Sequence, residues 1–249
     1  MPFLQTLMTN QENQSQIIRF IQPDPFSWQL ESEIHVWKFP VVATDLSLLT
    51  SAEKSVAARF RFEADKNRFA IGRQAVRFLS SEYLKLKPLD IGIDSYEGNK
   101  PIIGNPSCNL HFNISHSGEW VLIGFANHSL GIDIEEVNQD FHYEDLLDEH
   151  FSEMERSFIN NAEVPALAFY YLWTRKEALT KAWGTGLQEN LKKVYSLHSE
   201  VTQSKNAENW SIQSFQISSS YQAAIAYQAT ARNPIYLDGA RILSALQER

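Results

Sequence analysis

The feature of this sequence that most limits its fold is a repeated order of predicted elements. Each half of the chain carries strand-like segments, then a shorter predicted helix, then a longer predicted helix. In the first half the longer helix begins at Asp65 and ends before Pro88. In the second half it covers residues 166–183 and is closed by Gly184 and Gly186. Because no string of residues is repeated, this order is only a weak indication of internal duplication.

Alternation of polar and apolar residues and short apolar runs predict the strands. Residues 127–129 separate two of these runs and predict a hairpin turn. One shorter helix is predicted to start at Ser51, where Glu53 stands one residue too early for a capping box. The other shorter helix is predicted over residues 143–160. The predicted strands are 33–39, 111–115, 120–126, 130–137, 192–198, 211–217 and 222–229.

Charge and cysteine content disfavour several classes of protein. The 249 residues carry a formal net charge of −8, and nonspecific nucleic-acid binding usually requires a basic face. Cys108 is the single cysteine, so the chain has no internal disulfide, and no Cys/His cluster has zinc-site spacing. The N-terminus lacks a secretory pattern, and no run approaches the roughly 20 apolar residues that cross a membrane. We therefore expect a cytoplasmic protein that binds neither nucleic acid nor a membrane.

The segment Gly131-Ile132-Asp133-Ile134-Glu135 predicts a strand with two carboxylates on one face. Alternate side chains of a strand share a face, so Asp133 and Glu135 point together while the isoleucines enter the core. Adjacent carboxylates repel unless a cation or a proton lies between them. The alternative is a strand edge with solvated acids, and this segment alone favours that alternative.

The segment from Trp173 to Lys181, WTRKEALTK, predicts one face of a helix. Trp173, Glu177 and Lys181 follow one another at four-residue spacing and therefore lie along the same face. The alternative is an ordinary surface pair of Glu177 and Lys181, worth about 0.3–0.5 kcal/mol. Arg175 and Lys176 would then be exposed to solvent.

Taken together, the two segments predict a site for a hard cation and phosphate groups. Mg²⁺ prefers carboxylate and phosphate oxygens, and Asp133, Glu135 and Glu177 could supply part of its ligands. Lys181, one turn beyond Glu177, could reach the same phosphates. A third segment, 113–118 (NISHSG), predicts a polar turn that could hold a phosphate, although a turn capped by its own Ser and Asn is an equal alternative.

These three segments, in this order, resemble the 4′-phosphopantetheinyl transferases of the surfactin-synthetase-activating (Sfp) type. That family has a Gly-Ile-Asp strand followed by a helix with the pattern of WTRKEALTK, and here Glu177 lies 44 residues after Asp133. The strings FNISHSG, RFRFEADKNRFAIGR and NKP are similar to the family's upstream blocks. The resemblance covers residues 36–183.

The resemblance implies an α+β fold made of two similar α/β subdomains in one chain. The subdomains would be related by pseudo-twofold symmetry and would hold the site in the cleft between them. On this basis we expect an N-terminal subdomain of residues 1–128 and a C-terminal subdomain of residues 129–249. Two halves in one chain would complete a site without a second copy, so we expect a monomer.

The resemblance also implies a reaction: Mg²⁺-dependent transfer of 4′-phosphopantetheine from coenzyme A to a serine of an apo carrier protein, releasing 3′,5′-ADP. Glu177 would act as the base toward the serine, directly or through a water molecule, and Lys181 would contact the pyrophosphate. The implied metal ligands are Asp133, Glu135 and Glu177. The implied contacts to coenzyme A are Arg68, Lys100, Ser115, His116 and Lys181.

Other functions stay open at this point. The same residues could form a coenzyme A-binding module that has lost catalysis, although all three carboxylates and the lysine are present. They could also serve a metal-dependent phosphohydrolase in which water replaces the carrier serine. The released product distinguishes these possibilities.

Overall fold

The computed structural model describes residues 15–23, 30, 33–94, 100–104, 108–185, 190–203, 208–231 and 233–247. These residues form two compact units. The first unit contains the described residues of 19–129 and 231–247, and the second contains residues 15–18 and the described residues of 130–230. None of the described helices is both long enough and apolar enough to span a membrane.

The first unit is built on a four-stranded sheet in the order β11-β2-β6-β5. Strand β11 is parallel to β2, and the other neighbours are antiparallel. Its helices are α1 (Ser51–Ala57), α2 (Glu63–Leu84) and α6 (Ala240–Gln247). Its strands are β2 (Ile34–Pro40), β5 (His111–Ser117), β6 (Trp120–Ala126) and β11 (Pro234–Asp238), with a separate pair, β3 (Ile93–Asp94) and β4 (Ile102–Ile103).

Helix α2 packs against β5 and β6, and the core of the first unit lies between them. Strand β2 is buried on both faces over residues 34–37 rather than on one face only. Its two polar side chains there are satisfied by one group: Trp37 donates to the Tyr83 hydroxyl at 2.9 Å, and His35 Nδ1 lies 2.7 Å from the same oxygen. Buried polar groups need such partners, and Tyr83 of α2 supplies them.

The second unit is a five-stranded sheet in the order β1-β9-β10-β7, with β8 paired to β9. Helix α5 packs across β7, β9 and β10. The strands are β1 (Gln16–Ile17), β7 (Leu130–Glu136), β8 (Glu200–Thr202), β9 (Asn209–Ser218) and β10 (Tyr221–Gln228). The helices are α3 (Glu144–His150), α4 (Glu153–Asn160) and α5 (Pro165–Trp183).

The α+β class is confirmed. Strand β1, near the start of the sequence, pairs with β9 in the second unit. Strand β11, near the end of the sequence, pairs with β2 in the first unit. The expected subdomains 1–128 and 129–249 stay a proposal about how the sequence is organised.

Several predicted elements differ from the structure. Residues 192–198 were predicted as a strand, but a short 3-10 helix, Leu191–Lys193, is followed there by irregular backbone. The turn at 127–129 is not a hairpin, because β6 and β7 belong to different sheets. The helix predicted over 143–160 is two helices, since Ser152 caps a new one and makes a capping box with Glu155.

Candidate active site

Strand β7 carries two of the predicted carboxylates. It pairs with β10 so that Asp133 lies opposite Ala224 and Glu135 opposite Gln222. Asp133 is buried, with 3% of its surface exposed, whereas Glu135 is half-buried. The strand therefore leads from the core toward solvent, and its two acids occupy alternate positions of one face, as predicted.

Gly131 determines how closely β7 approaches α5. A Cβ atom on Gly131 would lie 2.0 Å from the backbone oxygen of Ala178 and 2.4 Å from the backbone nitrogen of Ala182. No side chain fits in that space, so glycine is required for this packing. The close approach places Asp133, two residues along the strand, beside Lys181 of the helix.

Asp133 and Lys181 form an ion pair. Lys181 Nζ lies 2.6 Å from Asp133 Oδ1, and it also donates to the backbone oxygen of Ile132 at 3.3 Å. The side chain of Lys181 is 27% exposed, while that of Asp133 is 4% exposed. A positive charge at the solvent end of a buried carboxylate is suited to attract an anionic ligand.

Glu177 lies on the same face of α5 as Lys181. Between Ala168 and Ala182, the half-buried residues are Trp173, Glu177 and Lys181, and the others are buried. Within residues 168–182, the predicted stripe is therefore the part of the helix that solvent reaches. Sequence spacing identified it because a helix brings residues four apart onto one face.

The environment of Glu177 favours its protonated form. Burial raises the pKa of the Glu177 carboxyl above its ordinary value, the charge of Asp133 raises that pKa further, and Lys181 lowers it in part. Among the described residues, its Oε1 atom is buried and has no hydrogen-bond partner. A half-buried carboxylate with a raised pKa and an unused oxygen can accept a proton or bind a cation.

The carboxylates of Asp133, Glu135 and Glu177 meet some of the requirements of a Mg²⁺ site. Oxygen-only donors and the unused Glu177 oxygen agree with the preference of this ion for one or two carboxylates together with substrate phosphates. However, nowhere in the described ranges do three Asp, Glu, His or Cys side chains come together as a ready metal site. The set Asp133, Glu135 and Glu177 therefore stays a prediction.

Arg175 and Lys176 are not exposed to solvent, contrary to the surface-pair alternative for this helix. Arg175 is 2% exposed and Lys176 is completely buried. Arg175 donates to the backbone oxygens of Ser196 and His198 and to Ser214 Oγ. Both cations bind carbonyls of the irregular segment 191–198, which explains why that segment is not a strand.

The predicted contacts to coenzyme A all lie in the first unit, apart from Lys181. Ser115 and His116 lie within β5 rather than in a turn, so their side chains leave opposite faces, with Ser115 buried and His116 exposed. The turn follows at residues 118–119, and Gly118 has φ 51° there. The sequence placed this turn too early because Ser and Asn are common turn formers.

Arg68 and Lys100 have different surroundings. Arg68 of α2 donates from Nε to the backbone oxygen of Gly118 at 2.9 Å and from its guanidinium to Asp65 at 2.7 Å. It thereby ties the helix to the β5–β6 turn. Lys100 is half-buried, and its charge contributes to lowering the pKa of His111, after the larger effect of burial. The structure thus brings Arg68 to the turn that follows Ser115 and His116.

Comparison with known proteins gives the family. A sequence model described as the 4′-phosphopantetheinyl transferase superfamily matches residues 129–227, and a model of the N-terminal part of 4′-phosphopantetheinyl transferases matches residues 36–128. The 4′-phosphopantetheinyl transferase HetI of Nostoc sp. is 31% identical over 169 residues, which cover 64% of this chain and 71% of HetI.

The chain belongs to the 4′-phosphopantetheinyl transferase superfamily. Sfp of Bacillus subtilis strain 168 is 32% identical over 144 residues, covering 57% of this chain and 63% of Sfp. The phosphopantetheinyl transferase of Thraustochytrium sp. is 32% identical over 162 residues, covering 59% of this chain and 56% of that protein. The matched region thus spans less than two thirds of several relatives of this transferase superfamily.

The sequence did not single out Glu155, which forms an ion pair with Lys176, or Ser196, which donates to the Glu155 carboxylate. The pattern Ser152-x-x-Glu155 was a visible signal of a helix start. The ion pair of Glu155 with Lys176 could not be predicted, since it depends on how α4 packs against α5.

Proposed function

We propose that this protein transfers 4′-phosphopantetheine from coenzyme A to a serine of an apo carrier protein and releases 3′,5′-ADP. The observation that carries the proposal is the Asp133–Lys181 pair at 2.6 Å beside Glu177, whose carboxyl has a raised pKa and an unused oxygen. A base and a fixed cation on adjacent turns of one helix suit transfer of a phosphate-linked group. Membership of the superfamily supports the same reaction.

In this proposal Glu177 takes the proton of the serine hydroxyl, which is a poor nucleophile without a base. The serine oxygen forms a bond to the β-phosphorus of coenzyme A. The bond from that phosphorus to the bridging oxygen breaks, and 3′,5′-ADP leaves with the electron pair. Lys181 offsets the negative charge that develops on the pyrophosphate, and Asp133 holds the ammonium group in place.

We propose that Asp133, Glu135 and Glu177 hold Mg²⁺ together with the substrate phosphates. When bound, this ion supplies positive charge that stabilises the pyrophosphate as the bond breaks. Arg68, Lys100, Ser115 and His116 are proposed to contact coenzyme A. His116 is exposed on β5, whereas Ser115 is buried and is therefore the weaker candidate.

The test is the intact mass of an apo acyl carrier protein after incubation with coenzyme A and Mg²⁺. We expect a gain of one phosphopantetheine, lost with EDTA and in Glu177→Gln. The matched control is Glu200→Gln, which removes an exposed glutamate of β8 in the same unit and should leave the gain unchanged. Free phosphopantetheine without a modified carrier would replace the proposal with a hydrolase. Binding of coenzyme A without either product would leave a binding module.

Three further points are proposals. We propose a monomer, a cytoplasmic location, and no nucleic-acid ligand, the last because of the net charge of −8. Sedimentation at several concentrations tests the first point, and a dimer at every concentration would contradict it.

A further inference from the structure

Glu155 and Lys176 form an ion pair that is completely buried within the second unit. Lys176 Nζ lies 2.9 Å from Glu155 Oε2, and neither side chain has exposed surface. The same nitrogen donates to the backbone oxygens of Leu191 and Val194. An ammonium group has three protons, and protein acceptors account for all three.

The carboxylate of Glu155 is equally occupied. Oε2 accepts from the backbone nitrogen and the hydroxyl of Ser152, at 2.9 and 3.0 Å. Oε1 accepts from the backbone nitrogen and the hydroxyl of Ser196, at 3.0 and 2.9 Å. One carboxylate therefore joins the start of α4, the segment 191–198 and helix α5.

Neither stability nor ligand binding explains this arrangement well. A buried ion pair gains little stability, since removing both charges from water costs about as much as their attraction returns. Lys176 cannot contact a phosphate in this structure, because its nitrogen is buried and its protons are used. What the pair does determine is geometry: it fixes where one side chain of α5 points.

We propose that Lys176 and Glu155 are positioning residues that set the rotation of α5 about its axis. Successive helical residues point about 100° apart, so holding Lys176 toward the interior directs Glu177 to the half-buried face. Arg175 is held on the preceding position by carbonyls of the same 191–198 segment. The inference rests on the proposed function, in which Glu177 takes the serine proton.

The test removes both charges together. Loss of Lys176 alone would leave a buried carboxylate unbalanced, so the double variant Glu155→Gln/Lys176→Met should melt at a higher temperature than Lys176→Met alone. Its glutamine oxygen still accepts from one of the two serines. The matched control is Arg156→Gln, the neighbour of Glu155 in α4, whose ion pair with Asp148 is at the surface.

In the double variant we expect kcat for carrier modification to fall about 10- to 100-fold, because misplacing a reacting group by a fraction of an ångström to 1 Å has that effect. KM for coenzyme A should change less than about twofold, since no ligand contact is lost. Backbone amides of residues 173–183 should exchange hydrogen faster. Arg156→Gln should match the wild type in all three measurements.

Wild-type kcat together with wild-type exchange in the double variant would overturn the inference. So would a loss of coenzyme A affinity that matches the loss of kcat, because Lys176 would then act as a ligand contact. If the wild-type protein modifies no carrier, the proposed function fails by itself. Exchange at residues 173–183 then decides the inference about α5: faster exchange supports it, and unchanged exchange refutes it.

A milder variant covers the case in which the double variant does not fold. Ser196→Ala removes one hydrogen bond, the one that the Ser196 hydroxyl donates to the Glu155 carboxylate, and leaves both charges of the ion pair in place. We expect a smaller fall in kcat, about two- to fivefold, with KM for coenzyme A unchanged. A wild-type kcat would count against the positioning role.

Discussion

At the scale of single residues, the site depends on how the charges of Asp133, Glu177 and Lys181 act on one another. Asp133 attracts Lys181, whose Nζ lies 2.6 Å from Asp133 Oδ1. The same carboxylate repels the charge of Glu177 and so raises the pKa of that residue. Lys181 partly offsets the repulsion. Two ionised acids and one cation leave a net negative charge, so a further positive charge would favour the ionised form of Glu177.

We expect Asp133→Asn to abolish carrier modification, with kcat/KM at least about 100-fold lower, while the protein stays folded. Stability should change little, because the variant loses the attraction to Lys181 and also the repulsion of Glu177. Melting temperature and carrier mass, measured side by side, check both parts. A collapse of the melting temperature would instead assign Asp133 a structural role.

The raised pKa of Glu177 predicts a pH-dependent stability. Below the ordinary pKa of 4.5 both the folded and the unfolded chain hold this proton. As pH rises through the higher folded-state pKa, the folded chain must ionise a half-buried carboxyl, so the stabilising contribution of the neutral form is lost. We therefore expect Glu177→Gln to melt at a higher temperature than wild type at pH 7.5.

That difference should shrink toward zero as pH falls below about 4.5, where wild-type glutamate is neutral in both states. Both proteins are measured in EDTA, and Glu200→Gln serves as the control with no such trend. A constant difference at all pH values would show that Glu177 does not titrate with a raised pKa.

At the scale of elements, the site depends on the contact between β7 and α5. Gly131→Ala should destabilise the protein by about 1–3 kcal/mol, because its Cβ would overlap the backbone of Ala178 and Ala182. Activity should fall further than stability, since α5 carries Glu177 and Lys181. Denaturant unfolding and carrier modification measure the two effects.

Gly72→Ala is the matched control. A Cβ on Gly72 meets Ile114 at 3.5 Å, an ordinary contact, and alanine is favoured within a helix such as α2. This variant should be as stable as wild type or slightly more stable. Equal destabilisation by the two substitutions would contradict the importance of the β7–α5 contact.

The elements also show what the sequence could and could not predict. Periodicity gave α2, α5 and most strands, and it gave the exposed stripe of α5, because those depend on local spacing. The sequence predicted the start of α1 at Ser51 but showed no capping box there, whereas Thr50 is the cap and forms a capping box with Glu53. The sequence did not predict that backbone oxygens of residues 191–198 accept hydrogen bonds from the buried Arg175 and Lys176. These contacts arise only when the segment packs against α5.

At the scale of the whole molecule, the two ends of the chain complete sheets that begin elsewhere in the sequence. Strand β11 covers one edge of β2, and Leu237 and Leu243 enter the core of the first unit. A chain that ends at residue 230 would expose the backbone edge of β2, which favours aggregation. We expect this truncated chain to lose cooperative melting and to elute as aggregates.

Size-exclusion chromatography and circular dichroism check this prediction, with full-length Ser244→Ala as the control at an exposed position of α6. A monomeric truncated chain with a wild-type melting temperature would show that β11 and α6 are dispensable. The expected subdomain of residues 1–128 could then fold without the C-terminal strand.

The most direct test of the proposed transfer measures both products in one reaction. Wild-type protein is incubated with coenzyme A, Mg²⁺ and an apo carrier, and 3′,5′-ADP is quantified beside the mass of the carrier. We predict one 3′,5′-ADP for every carrier that gains a phosphopantetheine, and neither product without Mg²⁺. Release of 3′,5′-ADP with an unmodified carrier would mean that water is the acceptor, and the transferase account would be wrong.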